Sequence, residues 1–393
     1  MQLSRKLEQQ IAVFGESGSG KTVLISSFYG ATQEPYFLQK SLFDVIADDF
    51  GQRAHLHQNY LGMKNSAKLP MATRFRGSSY SFTVKLKELP GGKSSKKPPK
   101  QLFDALRLVW HDYPGEWFEQ NLVDPEEAQH RVNTFRSLVG SDVALLLVDG
   151  QKLLDNAGEE ERYLKSLFTN FRNGLLSLKD DLLEGGKPLV DFPRIWVLAL
   201  SKSDLLPDVD VFRFKELLIE KVAGEIVELR NVLAGFVDSS DALSVAEDYI
   251  LLSSAKFNPD KIEVSERVGV AAILPLASIL PFERHLRWVQ TKKAVGKVAE
   301  SLLSVAGIFA TAMIGGKLKS STKEKKTGKL SGLVKLAGIV DVAVEAVKLA
   351  GEKLRILNEQ AISQGDTLSA VLTQFQLDLE KCEEDRVLHR SIG

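Results

Sequence analysis

Gly15-Glu16-Ser17-Gly18-Ser19-Gly20-Lys21-Thr22 places three glycines, a lysine and a hydroxyl residue within eight positions. The spacing is G-x-x-x-x-G-K-[ST], and each residue type has a task. Gly15, Gly18 and Gly20 let the backbone approach a phosphate without a Cβ in the way. Backbone N–H groups of Ser17, Ser19 and the start of the next helix then face the anion. The Lys21 ammonium is suited to the β- and γ-phosphates, and the Thr22 hydroxyl to a Mg²⁺ ion. An apolar run, Ile11-Ala12-Val13-Phe14, leads into the loop, and Val23-Leu24-Ile25 leads out of it. The expected ligand is a nucleoside triphosphate with Mg²⁺. The loop alone does not choose between ATP and GTP.

Three further clusters bear on that choice. Asp112-Tyr113-Pro114-Gly115 closes a second apolar segment. It resembles the switch II motif, D-x-x-G, of GTPases of the translation-factor and Ras class. The resemblance implies that Asp112 holds Mg²⁺, directly or through water, and that the Gly115 N–H meets the γ-phosphate. Ser201-Lys202-Ser203-Asp204 is similar to the guanine-specificity motif [NT]-K-x-D. A carboxylate there can accept hydrogen bonds from guanine N1–H and from its N2 amine, and adenine offers no such donor pair. The lysine stem can pack on the ring. Ser201 departs from Asn or Thr and has a shorter reach, which bears on affinity and selectivity. The same tetrapeptide also reads as a helix N-cap.

Ser254-Ala255-Lys256 looks like the S-A-K motif of the same class, where a backbone N–H reads guanine O6. A switch I threonine is implied as well, with its hydroxyl and carbonyl on Mg²⁺ and the γ-phosphate. Thr73 is the best placed and Thr32 the poorer alternative; Thr73 also reads as an ordinary strand-entry residue. The motifs occur in the order of the class, the loop and the last three each at the end of a strand pattern, the edge where open α/β sheets bind ligands. The resemblance spans roughly residues 9–257 and points to a P-loop GTPase of the translation-factor/Ras-related (TRAFAC) class. Within it, the hexapeptide from Asp112 to Trp117 resembles bacterial YcjX-like stress GTPases and the double-GTPase proteins of bacterial conflict systems.

Where many members of that class place Gln or His to orient the attacking water, this chain has Glu116. A carboxylate beside a γ-phosphate is repelled unless a cation screens it. Slow hydrolysis of GTP to GDP and phosphate is therefore expected, below about 1 s⁻¹ without a partner. The expected catalytic set is Lys21, Thr73, Gly115 and Glu116. Arg131, Arg136, Arg74 and Arg76 are placed to supply an arginine finger, or are solvated surface residues. The six histidines show no metal spacing, and Cys382 sits among acidic residues that disfavour a thiolate.

The elements that must position these residues alternate. Strand patterns fall at residues 11–14, 74–89, 102–110, 143–148, 195–200 and 249–252, with helical spacing at 159–183 and 211–233. Strands 74–89 and 102–110 read as a hairpin whose basic tip carries Lys93, Lys96, Lys97 and Lys100. That predicts an α/β fold, a mostly parallel sheet covered by helices on both faces. Residues 31–72 form a long extended switch I region, with a short helix expected near 38–49. The division expected is a nucleotide domain at 1–280 and an all-helical domain at 281–393.

The 393 residues carry 51 Lys+Arg against 51 Asp+Glu, which argues against a bulk nucleic-acid binder, so no specific nucleic acid is expected. One cysteine fits a reducing, cytoplasmic setting. Residues 301–316 are uncharged and rich in small residues, and Lys317, Lys319, Lys323, Lys325, Lys326 and Lys329 follow. Such a stretch packs as a core helix or lies against an anionic membrane from the cytoplasmic side. The partners expected are guanine nucleotide, a protein reached through the switches or the helical tail, a peripheral membrane contact, and a second copy of the chain. The competing readings are an ATPase of a motor or chaperone-like machine and a nucleotide-gated membrane effector.

Overall fold

The computed structural model describes residues 7–70, 78–89, 105–112, 125–187, 194–237, 243–258, 261–292 and 351–391. Within them the chain forms one eight-stranded sheet, with strands in the order β10-β7-β6-β5-β1-β4-β3-β2. In chain order these are β1 (Leu7–Phe14), β2 (Phe43–Ala47), β3 (Ser78–Leu86), β4 (Ala105–Asp112), β5 (Val143–Asp149), β6 (Arg194–Ser201), β7 (Leu243–Leu252) and β10 (Leu388–His389). A separate two-stranded ribbon pairs β8 (Lys256–Asn258) with β9 (Lys261–Glu263). Strands β4, β1, β5, β6 and β7 run parallel. The expected mostly parallel sheet with helices on both faces is thus what the chain forms.

The parallel strands are central because they can be buried on both faces. Every residue of β5, Val-Ala-Leu-Leu-Leu-Val-Asp, is buried, as a near-continuous apolar run requires. Alternation divides β1 between the two layers. Ile11 and Val13 face one core with α1 (Lys21–Thr32), α9 (Ile273–Lys292) and α11 (Thr367–Glu384). Ala12 and Phe14 face the other with α4 (Pro125–Val139), α6 (Glu160–Ser177) and α8 (Val211–Ala234). Phe14 stacks on Trp196 at 5.0 Å between centroids and meets Phe171 edge-on at 4.8 Å. The ladder from β1 to β5 (Phe14↔Leu146) and on to β6 (Asp149↔Ser201) and β7 (Ser201↔Leu252) brings four strand ends to one edge.

Two expectations need correction. The stretch expected as a helix near 38–49 holds only the end of a short helix, α2 (Pro35–Lys40), and then a strand, β2. Phe43, Val45 and Ala47 alternate and pair with Leu86, Val84 and Phe82 of β3, so cross-strand burial overrides local helix preference. Further along the 31–72 region a helix does form, α3 (Phe50–Ser66), capped by the Asp49 carboxylate, which accepts from Gln52 N at 2.7 Å. It packs on α1, where a Cβ on Gly30 would fall 2.0 Å from Tyr60 Cγ. The region expected to be all-helical also holds a short strand: after α10 (Glu352–Gln364) and α11 the chain returns to the sheet as β10, antiparallel to β7.

The 280/281 division falls inside α9, and Val371, Leu372, Phe375 and Leu379 of α11 share a core with β1 and β4. A buried ion pair fixes the C-terminal return. Arg284 of α9 donates to both oxygens of Asp248 at 2.6 and 2.7 Å, and Asp248 also accepts from Ser391 N at 2.9 Å. Arg390 donates to Glu383 at 2.8 Å and to Glu283 at 3.1 Å.

Candidate functional site

The first residues after β1 build the phosphate loop. Gly18 and Gly20 adopt φ of +79° and +91°, a left-handed backbone that residues with a Cβ avoid. Gly20 is also the N-cap of α1 and carries no side-chain cap, which leaves the helix N-terminus open to an anion. Gly15 is close-packed, since a Cβ there would meet Ser19 Oγ at 2.5 Å and Leu147 Cβ at 3.1 Å. Lys21, buried in the first turn of α1, donates to the Gly15 carbonyl at 2.7 Å and the Glu16 carbonyl at 3.0 Å. The ammonium is therefore held at the mouth of the loop. The Ser19 hydroxyl is buried without a hydrogen-bond partner, a donor available to a ligand oxygen.

The end of β6 supplies the second cluster. Lys202 has φ +54°, and its Nζ lies 2.8 Å from Asp149 Oδ2 at the end of β5. Asp149 is 2% exposed; its other oxygen accepts from Gln151 N at 2.9 Å, which caps the short helix α5 (Gly150–Asp155). Gly150 lets the two loops touch, because a Cβ there would sit 2.7 Å from the Ser201 carbonyl and 2.8 Å from that of Lys202. The Ser201 hydroxyl is spent on the Val148 carbonyl at 3.3 Å. Ser203 Oγ is buried and has no partner.

Asp204 follows in a short 3₁₀ turn, where its Oδ1 accepts from Ser253 Oγ at 2.7 Å. Ser253 directly follows β7 and is 2% exposed; its hydroxyl also lies 2.9 Å from the Ala255 carbonyl. The Ser254 carbonyl accepts from Ser27 Oγ of α1 at 2.6 Å, tying the third cluster to the phosphate-loop helix. Ala255 is fully buried in a small core with Tyr60, Met63, Ile262 and Val264. Lys256 is exposed and pairs with Glu266 at 3.3 Å. The Tyr60 phenol is pushed up to about 12, first by burial and then by the Glu34 carboxylate it meets.

The structure therefore brings Gly15, Ser17, Gly18, Ser19, Gly20, Lys21 and Thr22 to the same sheet edge as Ser201, Lys202, Asp204 and Ser254, Ala255, Lys256. Asp112 closes β4; the register Ala12↔His111 sets its backbone beside the strand that feeds the loop. Thr73, Gly115, Glu116, Arg74, Arg76, the basic hairpin tip and residues 293–350 lie outside the described residues. Thr32 is not a switch threonine: its Oγ1 is buried at the far end of α1, donating to the Tyr29 carbonyl at 2.7 Å. Arg136 is turned to α7 (Lys179–Leu182), where it donates to the Asp181 carbonyl at 3.0 Å.

Asp149, Lys152, Ser27 and Ser253 escaped the sequence reading. Asp149 alone had a visible signal, an aspartate followed by glycine at the end of an apolar strand. A magnesium ion bound with phosphates takes only a few hard oxygen ligands from protein, and the Thr22 hydroxyl, in the first turn of α1 directly after the loop, is a donor of that kind. Among the described residues no group of three or more His, Cys, Asp or Glu is placed to hold a metal by itself. Among them, too, no helix is long and apolar enough to cross a membrane.

No protein-family model matches the chain, and no curated protein matches it. Distant likenesses exist among solved structures. One is the GTPase-like domain of Ski7 from S. cerevisiae bound to GTP, with a TM-score of 0.28 and 15% identity over 64% of this chain and 43% of that one. The present chain thus spans less than half of that structure. Roco2 RocCORdC from Methanosarcina barkeri bound to GDP gives 0.24 and 13%, covering 86% and 69% of the two chains. The cytosolic domain of the T. maritima FeoB iron transporter in its GMPPNP form gives 0.28 and 10%, covering 87% and 98%. The fold stands on the strand order and register given above.

Proposed function

We propose that the chain is a GTP-binding switch, a P-loop GTPase of the translation-factor/Ras-related class that hydrolyses GTP slowly with Mg²⁺. One observation carries the reading: Lys21, Lys202, Asp204 and the Ser254–Lys256 turn share one edge of a parallel sheet although they come from three separate strand ends. In this reading Lys21 and the loop N–H groups bind the β- and γ-phosphates. Asp204 reads guanine N1–H and the N2 amine, the Lys202 stem covers the ring, and the turn at Ala255 faces O6. Thr22 and Asp112 would hold Mg²⁺, and the ion would offset phosphate charge when bound. Thr73 and Gly115 would sense the γ-phosphate, and Glu116 makes turnover slow.

Bound nucleotide would bias the switch segments, and the helical region at 281–393 would pass that bias to a protein partner. Competition of GTP against ATP for the purified chain with Mg²⁺ tests the reading. A clear GTP preference supports it; equal binding, or an ATP preference, would return the base-reading loop to a helix cap and favour an ATPase.

A further inference from the structure

The phosphate loop carries a carboxylate of its own. Glu16 is its second residue, with a side chain only 13% exposed. Its backbone carbonyl helps hold Lys21. A fixed negative charge there opposes a polyphosphate, and the opposition grows with each phosphate charge. The structure sets a cation against it. Lys152 Nζ lies 2.7 Å from Glu16 Oε2, and the two residues are 136 positions apart.

Elements outside the loop fix that lysine. It stands on α5, whose N-terminus is capped by Asp149. Its ammonium lies 5.9 Å from the centre of the Tyr163 ring, a distance suited to a cation–π contact. Tyr163 is buried, and its hydroxyl oxygen accepts from Asp149 N at 2.9 Å. Burial, with the Glu16 and Asp149 charges adding, holds this phenol protonated. One four-residue turn, 149–152, thus sends Asp149 to the base-reading loop and Lys152 to the phosphate loop.

We propose that Lys152 is a positioning residue that acts through Glu16: it neutralises the carboxylate that the phosphate loop would otherwise set against the triphosphate. The inference rests on the nucleotide reading above. A surface ion pair of no consequence would leave binding unchanged when broken. A neutralising pair makes the two residues interdependent, and its effect scales with ligand charge.

The test uses the full chain, titrated calorimetrically with a non-hydrolysable GTP analogue and with GDP, with Mg²⁺, at low and high salt. The variants are Lys152→Gln, Lys152→Arg, Glu16→Gln and the Glu16→Gln/Lys152→Gln double. Lys152→Gln should weaken the triphosphate roughly tenfold or more at low salt, GDP less, with a smaller deficit at about 0.5 M salt. Lys152→Arg should restore binding, and the double variant should return to within about threefold of wild type. Unchanged triphosphate affinity in Lys152→Gln, or a double variant as weak as that single one, overturns the proposal. Should Lys152→Gln fail to fold, Glu16→Gln decides: it must bind at least as tightly as wild type, and weaker binding overturns the proposal. Wild-type chain that binds neither nucleotide removes the nucleotide reading along with this inference. Wild-type binding with an indifferent Lys152→Gln removes this inference alone.

Discussion

Asp204→Asn separates a base-reading carboxylate from a helix cap. Asp204 sits in the turn after Lys202, with Oδ1 accepting from Ser253 Oγ at 2.7 Å. If it reads guanine, its charge receives N1–H and the N2 amine. A hydrogen bond to a charged group contributes about 1.5–3 kcal/mol. The amide keeps one neutral acceptor and turns an N–H toward the other base donor. The expected loss is about 3 kcal/mol, or about a hundredfold in GTP affinity. Adenine has no donor pair to lose, so ATP affinity should change by less than about threefold. Xanthine bears a carbonyl where guanine bears the amine, so its triphosphate should bind the variant better than the wild type. The assay is competition against a fluorescent nucleotide with Mg²⁺, beside a melting curve. The midpoint should hardly move, since a substitution at a partly exposed turn stays within about 0.5 kcal/mol. Parallel weakening of GTP and ATP, or no change in either, would refute the assignment.

Other consequences are local. Gly150→Ala places a Cβ 2.7 and 2.8 Å from the backbone carbonyls of Ser201 and Lys202 in the loop after β6. It should cost about 1–3 kcal/mol, read as a lower urea midpoint, and should weaken nucleotide binding as that loop shifts. Asp248→Ala strands the buried Arg284 guanidinium and releases Ser391, so destabilisation of about 3–5 kcal/mol is expected by chemical denaturation. Burial pushes the Cys382 thiol up to about 11, with the Asp378 and Asp385 charges adding. Its folded pKa is raised, so its stabilising contribution is present below about pH 9 and is lost as pH rises through about 11. Disulfide-reagent labelling at pH 8 should therefore be far slower for folded than for urea-unfolded chain; equal rates would contradict the burial argument.

The legible part of the site was the part that is local in sequence. A phosphate loop needs consecutive residues, with glycine wherever φ is positive, so Gly18 and Gly20 could be identified from type and spacing. The residues proposed to read the base could be named but their support could not. Asp204 depends on Ser253, 49 positions away, and Lys202 on Asp149, 53 away. A hydroxyl or carboxylate at a strand end looks the same in sequence whether it faces solvent or a neighbouring loop.

The same division runs through the fold. Uninterrupted apolar runs such as Val143 to Val148 can be stable only where both faces are covered, so sequence alone determined the parallel centre of the sheet and its flanking helices. Tertiary structure decided the edges. Phe43–Ala47 is a strand because β3 offers it a ladder, and Leu388–His389 is one because β7 has an open edge and Asp248 captures the chain beyond it. Short segments have too little hydrogen bonding and burial of their own to choose a conformation, so the neighbour that completes them makes the choice. The Glu16–Lys152 contact belongs to the same kind: the helix and strand patterns at each end are local, but their meeting exists only once β1 and β5 lie side by side.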